Sequence, residues 1–174
     1  MMVLAIGDSW IDCAWPVIMG ILKPRRQGVS GSTAAQWASD YNGMLSRAVD
    51  TKADTVIISL LGNDARDAVS DGVVTLKERV DGVTNLNKVV KAVKRKHTIV
   101  LLYADPFCGR DPRAAKGIVL LNKAIRLACN GSDVVFADTG DCLTPAHFDG
   151  VDIHPNKDGQ VAIAKMMTKL LGAL

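Results

Sequence analysis

The stretch MVLAIGDSW, residues 2–10, decides how this chain is interpreted. Its first five residues form an apolar run, which is typical of a short strand buried on both faces. The run stops at Gly7, and Asp8 and Ser9 follow at once. This segment therefore predicts a strand that presents a serine hydroxyl at its carboxyl end.

Outward from this segment, strand-like apolar runs alternate with helix-like stretches. The alternation predicts an α/β fold, a three-layer α/β/α sandwich around a central, mostly parallel five-stranded sheet. The 174 residues contain no linker and no internal repeat, so we expect residues 1–174 to form a single domain. The predicted strands are 2–6, 27–29, 55–61, 98–104 and 133–137, and the predicted helices are 33–49, 73–96, 112–129 and 158–171.

The composition is that of an ordinary globular protein, with 48% apolar and 22% charged residues. The net charge is +3, and the one dense basic cluster, residues 88–97, has the helical spacing of a solvated helix face. We therefore expect no nucleic-acid partner. No apolar run approaches the ~20 residues that span a bilayer, and residues 1–6 lack the basic flank of a secretory signal. These features predict no membrane partner and a cytoplasmic location, with export by another route left open.

The four cysteines, Cys13, Cys108, Cys129 and Cys142, do not have the spacing of a metal site. Without an export signal, reduced thiols are expected. Cys13 follows Ser9 closely but has no obvious base beside it, so we interpret it as a small buried residue.

Polar residues that follow the predicted strands mark a candidate site. In open α/β sheets, ligands bind beyond the carboxyl ends of the strands. Ser9 and Asn63 each follow a strand, and Gly31 lies in the loop after the short strand 27–29. The loop that ends at His154 leads into the last helix. We expect all four residues to lie along one edge of the sheet.

These residue types fit acyl transfer. A serine hydroxyl becomes a nucleophile when a base removes its proton, and His154 is the candidate base for Ser9. The tetrahedral oxyanion that follows needs preorganised donors. The backbone N–H groups of Ser9 and Gly31 and the side-chain amide of Asn63 could supply them. Each residue alone is unspecific, but their order on strand-end loops indicates one mechanism.

Four blocks of the chain resemble those of the SGNH (GDSL-type) hydrolases. They read GDSW at 7–10, VSGST at 29–33, LGND at 61–64 and DIHPN at 152–156, in the family's order and over nearly the whole chain. The resemblance implies the flavodoxin-like SGNH hydrolase fold. It also implies an enzyme that hydrolyses esters, thioesters, or acyl and acetyl groups on glycans and lipids.

Carried over block by block, the resemblance implies Ser9 as nucleophile, Gly31 and Asn63 as oxyanion donors, and His154 as base. It implies no metal and no organic cofactor. The blocks differ from the usual family pattern at Trp10, which stands where the family commonly has Leu.

The acidic partner of His154 is a larger departure. The family's acid normally stands three residues before the histidine, and that position is Val151 here. Asp152 is two residues before it, and in an extended chain residues two apart point to the same side, so Asp152 is the predicted orienting acid. Asp149 could fold back across Gly150 as an alternative acid. A backbone carbonyl near Val151, supporting a Ser-His dyad, is the third option.

The sequence therefore predicts a serine esterase that acts on a small-molecule or glycan ester. A short acyl or acetyl group is expected, since the chain has little spare length for a lid or a lipid groove. The alternative is a catalytically silent protein of the same fold that binds a small molecule or a glycan; the joint presence of Ser9, Gly31, Asn63 and His154 argues against it. A nucleotide-binding domain is disfavoured because residues 28–31 do not fit a glycine-rich phosphate loop. The oligomeric state is not predicted.

Overall fold

A computed structural model describes five parts of the chain, residues 2–11, 25–64, 75–105, 111–149 and 154–173. At their centre is an all-parallel sheet of five strands in the order β2-β1-β3-β4-β5. This is the strand order of flavodoxin-like doubly wound folds, so the predicted α/β fold class is confirmed. The strands are β1 (Val3–Gly7), β2 (Arg25–Gly28), β3 (Thr55–Ser59), β4 (His97–Leu102) and β5 (Val135–Asp138).

The two central strands explain why the apolar runs in the sequence do not alternate. β1 and β3 are buried at every position, so both faces of the sheet are covered there. In the register of this pair, Gly7 lies beside Ser59, and both strands end at the same level. The segments that follow β1 and β3 therefore leave the sheet side by side.

The described residues form five helices that pack against one another or against the sheet. Counted along the chain, the third helix contacts the first, second and fourth, while the fifth packs against β5. In the parts of the chain that the structure describes, no helix is both long and apolar enough to cross a membrane. The helices are α1 (Ala34–Ala38), α2 (Met44–Asp50), α3 (Leu76–Val93), α4 (Pro112–Ala128) and α5 (Lys157–Gly172), and short 3-10 turns cover Tyr41–Gly43, Thr139–Asp141 and Pro145–His147.

The prediction of one helix over 33–49 is wrong, because the structure has two helices there. The backbone adopts positive φ at Asp40, Asn42 and Gly43, with values of 58°, 52° and 69°. A left-handed residue ends an α-helix, and Asp, Asn and Gly are the residues that adopt this conformation most readily. The other described strand and helix ends lie within three residues of their predicted positions, and the predicted start at 73 lies outside the described residues.

Candidate active site

Ser9 stands on a tight turn, residues 7–10, which we call the Ser9 turn. The turn requires glycine at position 7: its φ is 149°, and a Cβ there would lie 2.1 Å from the carbonyl oxygen of Ser59. The backbone N–H of Asp8 donates to this same oxygen at 2.9 Å. The chain becomes helical at Ser9, which is partly exposed, while Asp8 is buried.

The base candidate His154 lies against the Ser9 turn. Its Nε2 atom is 2.9 Å from Ser9 Oγ, although the two residues are 145 positions apart in the chain. The next residue, Pro155, is buried and forms an isolated antiparallel bridge with Phe148. An imidazole nitrogen at this distance can take the proton of a serine hydroxyl.

Asn156 holds the chain on the other side of Pro155. Its side-chain oxygen caps α5 by accepting hydrogen bonds from the N–H groups of Asp158 and Gly159, both at 3.1 Å. Its Nδ2 atom donates to the carbonyl oxygen of Ala146 at 2.9 Å and to Asp149 Oδ1 at 3.0 Å. We call residues 142–149 and 154–156 the His154 loop, and Asn156 joins its two parts.

The proposed acids are placed differently. Asp152 and Val151 lie outside the described residues. Asp149 is exposed, and its carboxylate accepts the hydrogen bond from Asn156. This contact gives Asp149 a role in joining the His154 loop. Which group orients His154 stays a prediction.

The candidate oxyanion donors are linked through Ser32. Asn63 Nδ2 donates to the carbonyl oxygen of Ser32 at 2.9 Å, which fixes the plane of the amide. The buried Ser32 hydroxyl donates to the carbonyl oxygen of Gly7 at 3.2 Å and so joins this segment to the Ser9 turn. Gly31 has a φ of 75° and is exposed. Among the described residues, no acceptor is found for the backbone N–H of Ser9 or of Gly31, as an oxyanion hole requires.

The start of α1 supports these donors. Thr33 caps the helix in a reciprocal capping box with Gln36. Ser32, the preceding residue, does not cap the helix, and its hydroxyl faces β1 instead. Asp64, directly after Asn63, accepts a hydrogen bond from the N–H of Ala34 at 2.7 Å. The second and third sequence blocks are therefore joined at the helix N-terminus.

The loop that carries Asn63, residues 60–64, contains a strained residue. We call it the Asn63 loop. Leu61 is buried and has a φ of 92°, which is rare for a residue with a side chain. A Cβ at Gly82 of α3 would lie 2.7 Å from Leu61 Cδ2, so glycine there leaves room for this side chain. The strand predicted to reach 61 therefore ends at Ser59, because the chain leaves the sheet to place Asn63.

Sequence reasoning missed a buried polar group below the site. The Tyr103 hydroxyl donates to Asp8 Oδ2, and Ser59 Oγ lies 3.3 Å from Asp8 Oδ1. Burial raises the pKa of Asp8 to about 6, against the opposing effect of hydrogen bonds from Tyr103, the Trp10 N–H and Ser59. Burial, and then the charge of Asp8, raise the pKa of Tyr103 well above its usual value. A polar residue at the end of an apolar strand was the signal available for Ser59 and Tyr103.

The described part of the chain holds no cluster of three His, Cys, Asp or Glu side chains that could bind a metal ion. The candidate site residues at the carboxyl edge of the sheet supply a hydroxyl, an imidazole and neutral N–H donors. This set can transfer a proton and stabilise an oxyanion.

Comparison with known proteins gives a match to one family model and matches of fold to solved structures. The model of the GDSL-like lipase/acylhydrolase family matches residues 5–162. An acetylxylan esterase from Geobacillus stearothermophilus is 18% identical, with a TM-score of 0.72 over 98% of this chain and 94% of that one. The lipase Lip_vut3 from a goat rumen metagenome is 18% identical, with a TM-score of 0.67 over 97% and 96%. A search of curated proteins gave no significant match. At this identity, the two solved structures establish similarity of fold.

Proposed function

Because the chain belongs to the GDSL-like lipase/acylhydrolase family, a family of ester hydrolases, we propose that it is a serine esterase specific for a short acyl group. The observation that carries the proposal is the 2.9 Å distance between Ser9 Oγ and His154 Nε2. Two groups so far apart in sequence are brought to hydrogen-bond distance at the sheet edge where α/β folds bind ligands.

In the proposed reaction, Ser9 Oγ attacks the ester carbonyl while His154 Nε2 accepts its proton. The carbonyl oxygen gains the negative charge. The N–H groups of Ser9 and Gly31 and the amide of Asn63 donate to it; loss of one such donor typically costs about 3 kcal/mol of transition-state stabilisation.

The intermediate then collapses and expels the alcohol, which receives the proton from His154. An acyl group remains on Ser9 Oγ. A water molecule, deprotonated by His154, attacks this acyl-enzyme, and the same donors hold the second oxyanion. Release of the carboxylic acid restores the Ser9 hydroxyl.

For the substrate, we propose an acetyl or other short acyl ester on a carbohydrate or small molecule. The similar fold of an acetylxylan esterase supports this class.

The direct test is hydrolysis of p-nitrophenyl acetate, butyrate and octanoate by wild type and Ser9→Ala. We expect acetate to be the best substrate, and Ser9→Ala to lower kcat by at least ~10³-fold. A fluorophosphonate probe should label the wild type and not the variant. Ser39→Ala, which removes an exposed hydroxyl on the same chain, is the matched control and should leave both results unchanged. Turnover that survives Ser9→Ala, or a wild type that neither turns over nor is labelled, would refute the proposal.

We further propose that Asp152 orients His154, and two variants separate the three accounts. Asp152→Asn should lower kcat by ~10²-fold or more, because the imidazole loses the group that selects its tautomer. Asp149→Asn should have a small effect if Asp149 only contacts Asn156. A large loss in Asp149→Asn alone would transfer the role to Asp149, and a small effect in both variants would favour the dyad.

A further inference from the structure

The buried group of Asp8, Ser59 and Tyr103 adjoins the Ser9 turn. The three residues follow or end the neighbouring strands β1, β3 and β4, and their exposed fractions are 1%, 0% and 4%. None is part of the nucleophile, the base or the oxyanion donors. Buried polar groups of this kind are expensive unless they are mutually hydrogen-bonded, and here they are.

Tyr103 contacts the Ser9 turn. Its hydroxyl donates to Asp8 Oδ2, and the other carboxylate oxygen of Asp8 accepts the Trp10 N–H at 3.1 Å. The Trp10 ring meets the Tyr103 ring edge-on, with centroids 5.1 Å apart and an interplanar angle of 77°. Asp8 and Trp10 flank Ser9, so Tyr103 is tied to both neighbours of the nucleophile.

The same hydroxyl also contacts the Asn63 loop. The backbone N–H of Gly62 points to Tyr103 Oη at 3.4 Å. A Cβ at Gly62 would lie 3.0 Å from Asp8 Oδ2 and 3.2 Å from the Tyr103 ring, so the loop closes directly on the pair. Gly62 immediately precedes Asn63, and the Tyr103 hydroxyl therefore lies between the segments that carry the nucleophile and a proposed oxyanion donor.

The backbone of Tyr103 is held by the side chain of Asn122. Its backbone N–H donates to Asn122 Oδ1 at 2.9 Å, and its carbonyl oxygen accepts from Asn122 Nδ2 at 2.8 Å. Asn122 belongs to α4, a helix of 17 residues. Because its backbone is bonded to α4, Tyr103 can hold the two segments that contact its hydroxyl at a fixed distance from each other.

We infer that Tyr103 is a positioning residue whose hydroxyl fixes the separation of Ser9 and the Asn63 amide. The inference rests on the proposed esterase function. Tyr103 does not touch the substrate in this account; it acts through Asp8 and Gly62. Misplacing an oxyanion donor weakens binding of the transition state more than binding of the ester, so its loss should appear in kcat.

The test is Tyr103→Phe, which keeps the ring and removes the hydroxyl. With p-nitrophenyl acetate we expect kcat to fall about tenfold and KM to change less than twofold. Labelling of Ser9 by the fluorophosphonate should slow by a similar factor. Ser59→Ala, which removes a hydroxyl 3.2 Å from Tyr103 Oη, should lower kcat in the same direction but less, and serves if Tyr103→Phe does not fold.

Thr98→Val is the matched control. The Thr98 hydroxyl is buried at the amino end of β4, at the opposite edge of the sheet; it donates to the carbonyl oxygen of Arg95 at 3.4 Å and accepts from the Arg95 N–H at 3.2 Å. Its loss should lower the free energy of unfolding without changing kcat. If Tyr103→Phe behaves like this control, with reduced stability and unchanged kcat, the positioning role is overturned. If the wild type itself neither hydrolyses the ester nor is labelled, it is the esterase proposal that has failed.

Discussion

The Ser9 turn and the His154 loop supply the two halves of the proposed reaction, and they are held in place by different means. The Ser9 turn is built on buried contacts: a glycine packed against a carbonyl and a carboxylate out of reach of water. The His154 loop is held by the buried bridge between Pro155 and Phe148 and by Asn156, whose side-chain bonds to Ala146 and Asp149 are exposed. The nucleophile is thus fixed by packing, and the base in part by exposed hydrogen bonds.

This difference has an energetic consequence. A contact without free space cannot relax after substitution, and a buried charge has no water to replace a lost partner. Exposed hydrogen bonds exchange with water at small net cost. Substitutions in the Ser9 turn should therefore act mainly on folding, while substitutions in the His154 loop should act on the position of the base.

The strongest test of the packing in the Ser9 turn is Gly7→Ala. The added Cβ would meet the Ser59 carbonyl oxygen at 2.1 Å, and φ at this position is 149°. The Ser59 oxygen belongs to the backbone and not to a flexible side chain, so β1 and β3 must separate to make room for the Cβ. We expect a loss of more than ~4 kcal/mol in the free energy of unfolding, or no folded protein, measured by urea denaturation.

Gly131→Ala is the control for backbone strain alone. Gly131 also has a positive φ, 74°, but a Cβ there would have nothing within 4 Å. Its substitution should cost about 1 kcal/mol. Equal losses in the two variants would show that close packing contributes nothing to the Ser9 turn.

The fold could be predicted because its signals are local. The apolar runs of β1, β3 and β4 and the periodic stretches of α4 and α5 are complete within one segment each. The break between α1 and α2 was also visible in Asp40, Asn42 and Gly43, which favour left-handed turns. The prediction missed this break because the apolar residues keep the same helical spacing from α1 into α2.

The site was predictable only in part. The sequence blocks named Ser9, Gly31, Asn63 and His154 as a set, and the structure places Ser9 beside His154. Tyr103 could not be paired with Asp8 in this way, since the two are 95 positions apart and meet only when β1 and β4 flank β3. The strain at Leu61 was likewise hidden, because it depends on the space left by a glycine in α3.

Asp8→Asn tests whether the Ser9 turn contains a charge held at a cost. The pKa of Asp8 is raised from 3.8 to about 6 in the folded protein, so the folded state binds the proton more tightly than the unfolded chain. Ionisation of Asp8 therefore lowers the free energy of unfolding as pH rises from about 4 to about 6, and the loss is complete above that range. Relative to wild type, we expect Asp8→Asn to gain up to roughly 3 kcal/mol between pH 4 and pH 7.

The control carboxylate is Asp40, whose folded pKa is lowered by hydrogen bonds from Ser46. Its contribution has the opposite sign: it stabilises the folded state above the unfolded pKa and is lost as pH falls. Asp40→Asn, which suits the left-handed φ of 58°, should therefore lose stability relative to wild type as pH rises. The Asp40 difference develops as pH rises to about 4, and the Asp8 difference develops between about pH 4 and pH 6, so urea unfolding at pH 3, 4, 5, 6 and 7 measures both variants. An Asp8→Asn curve parallel to that of wild type would mean that Asp8 is not ionised at a cost in the folded protein.

The smallest effect on folding is expected for Asn156→Ala in the His154 loop. The variant removes the cap of α5 and should cost about 1 kcal/mol in the free energy of unfolding. Asp111→Ala removes the cap of α4, where Asp111 accepts the Arg113 N–H at 2.9 Å, and should cost a similar amount.

The two variants should differ in esterase activity, because only Asn156 also joins the segment before His154 to the one after it. A several-fold loss of kcat in Asn156→Ala alone would show that these exposed bonds position the base. Equal activity in both variants would mean that Pro155 and its bridge to Phe148 hold His154 without them, and that the base, like the nucleophile, is fixed by packing.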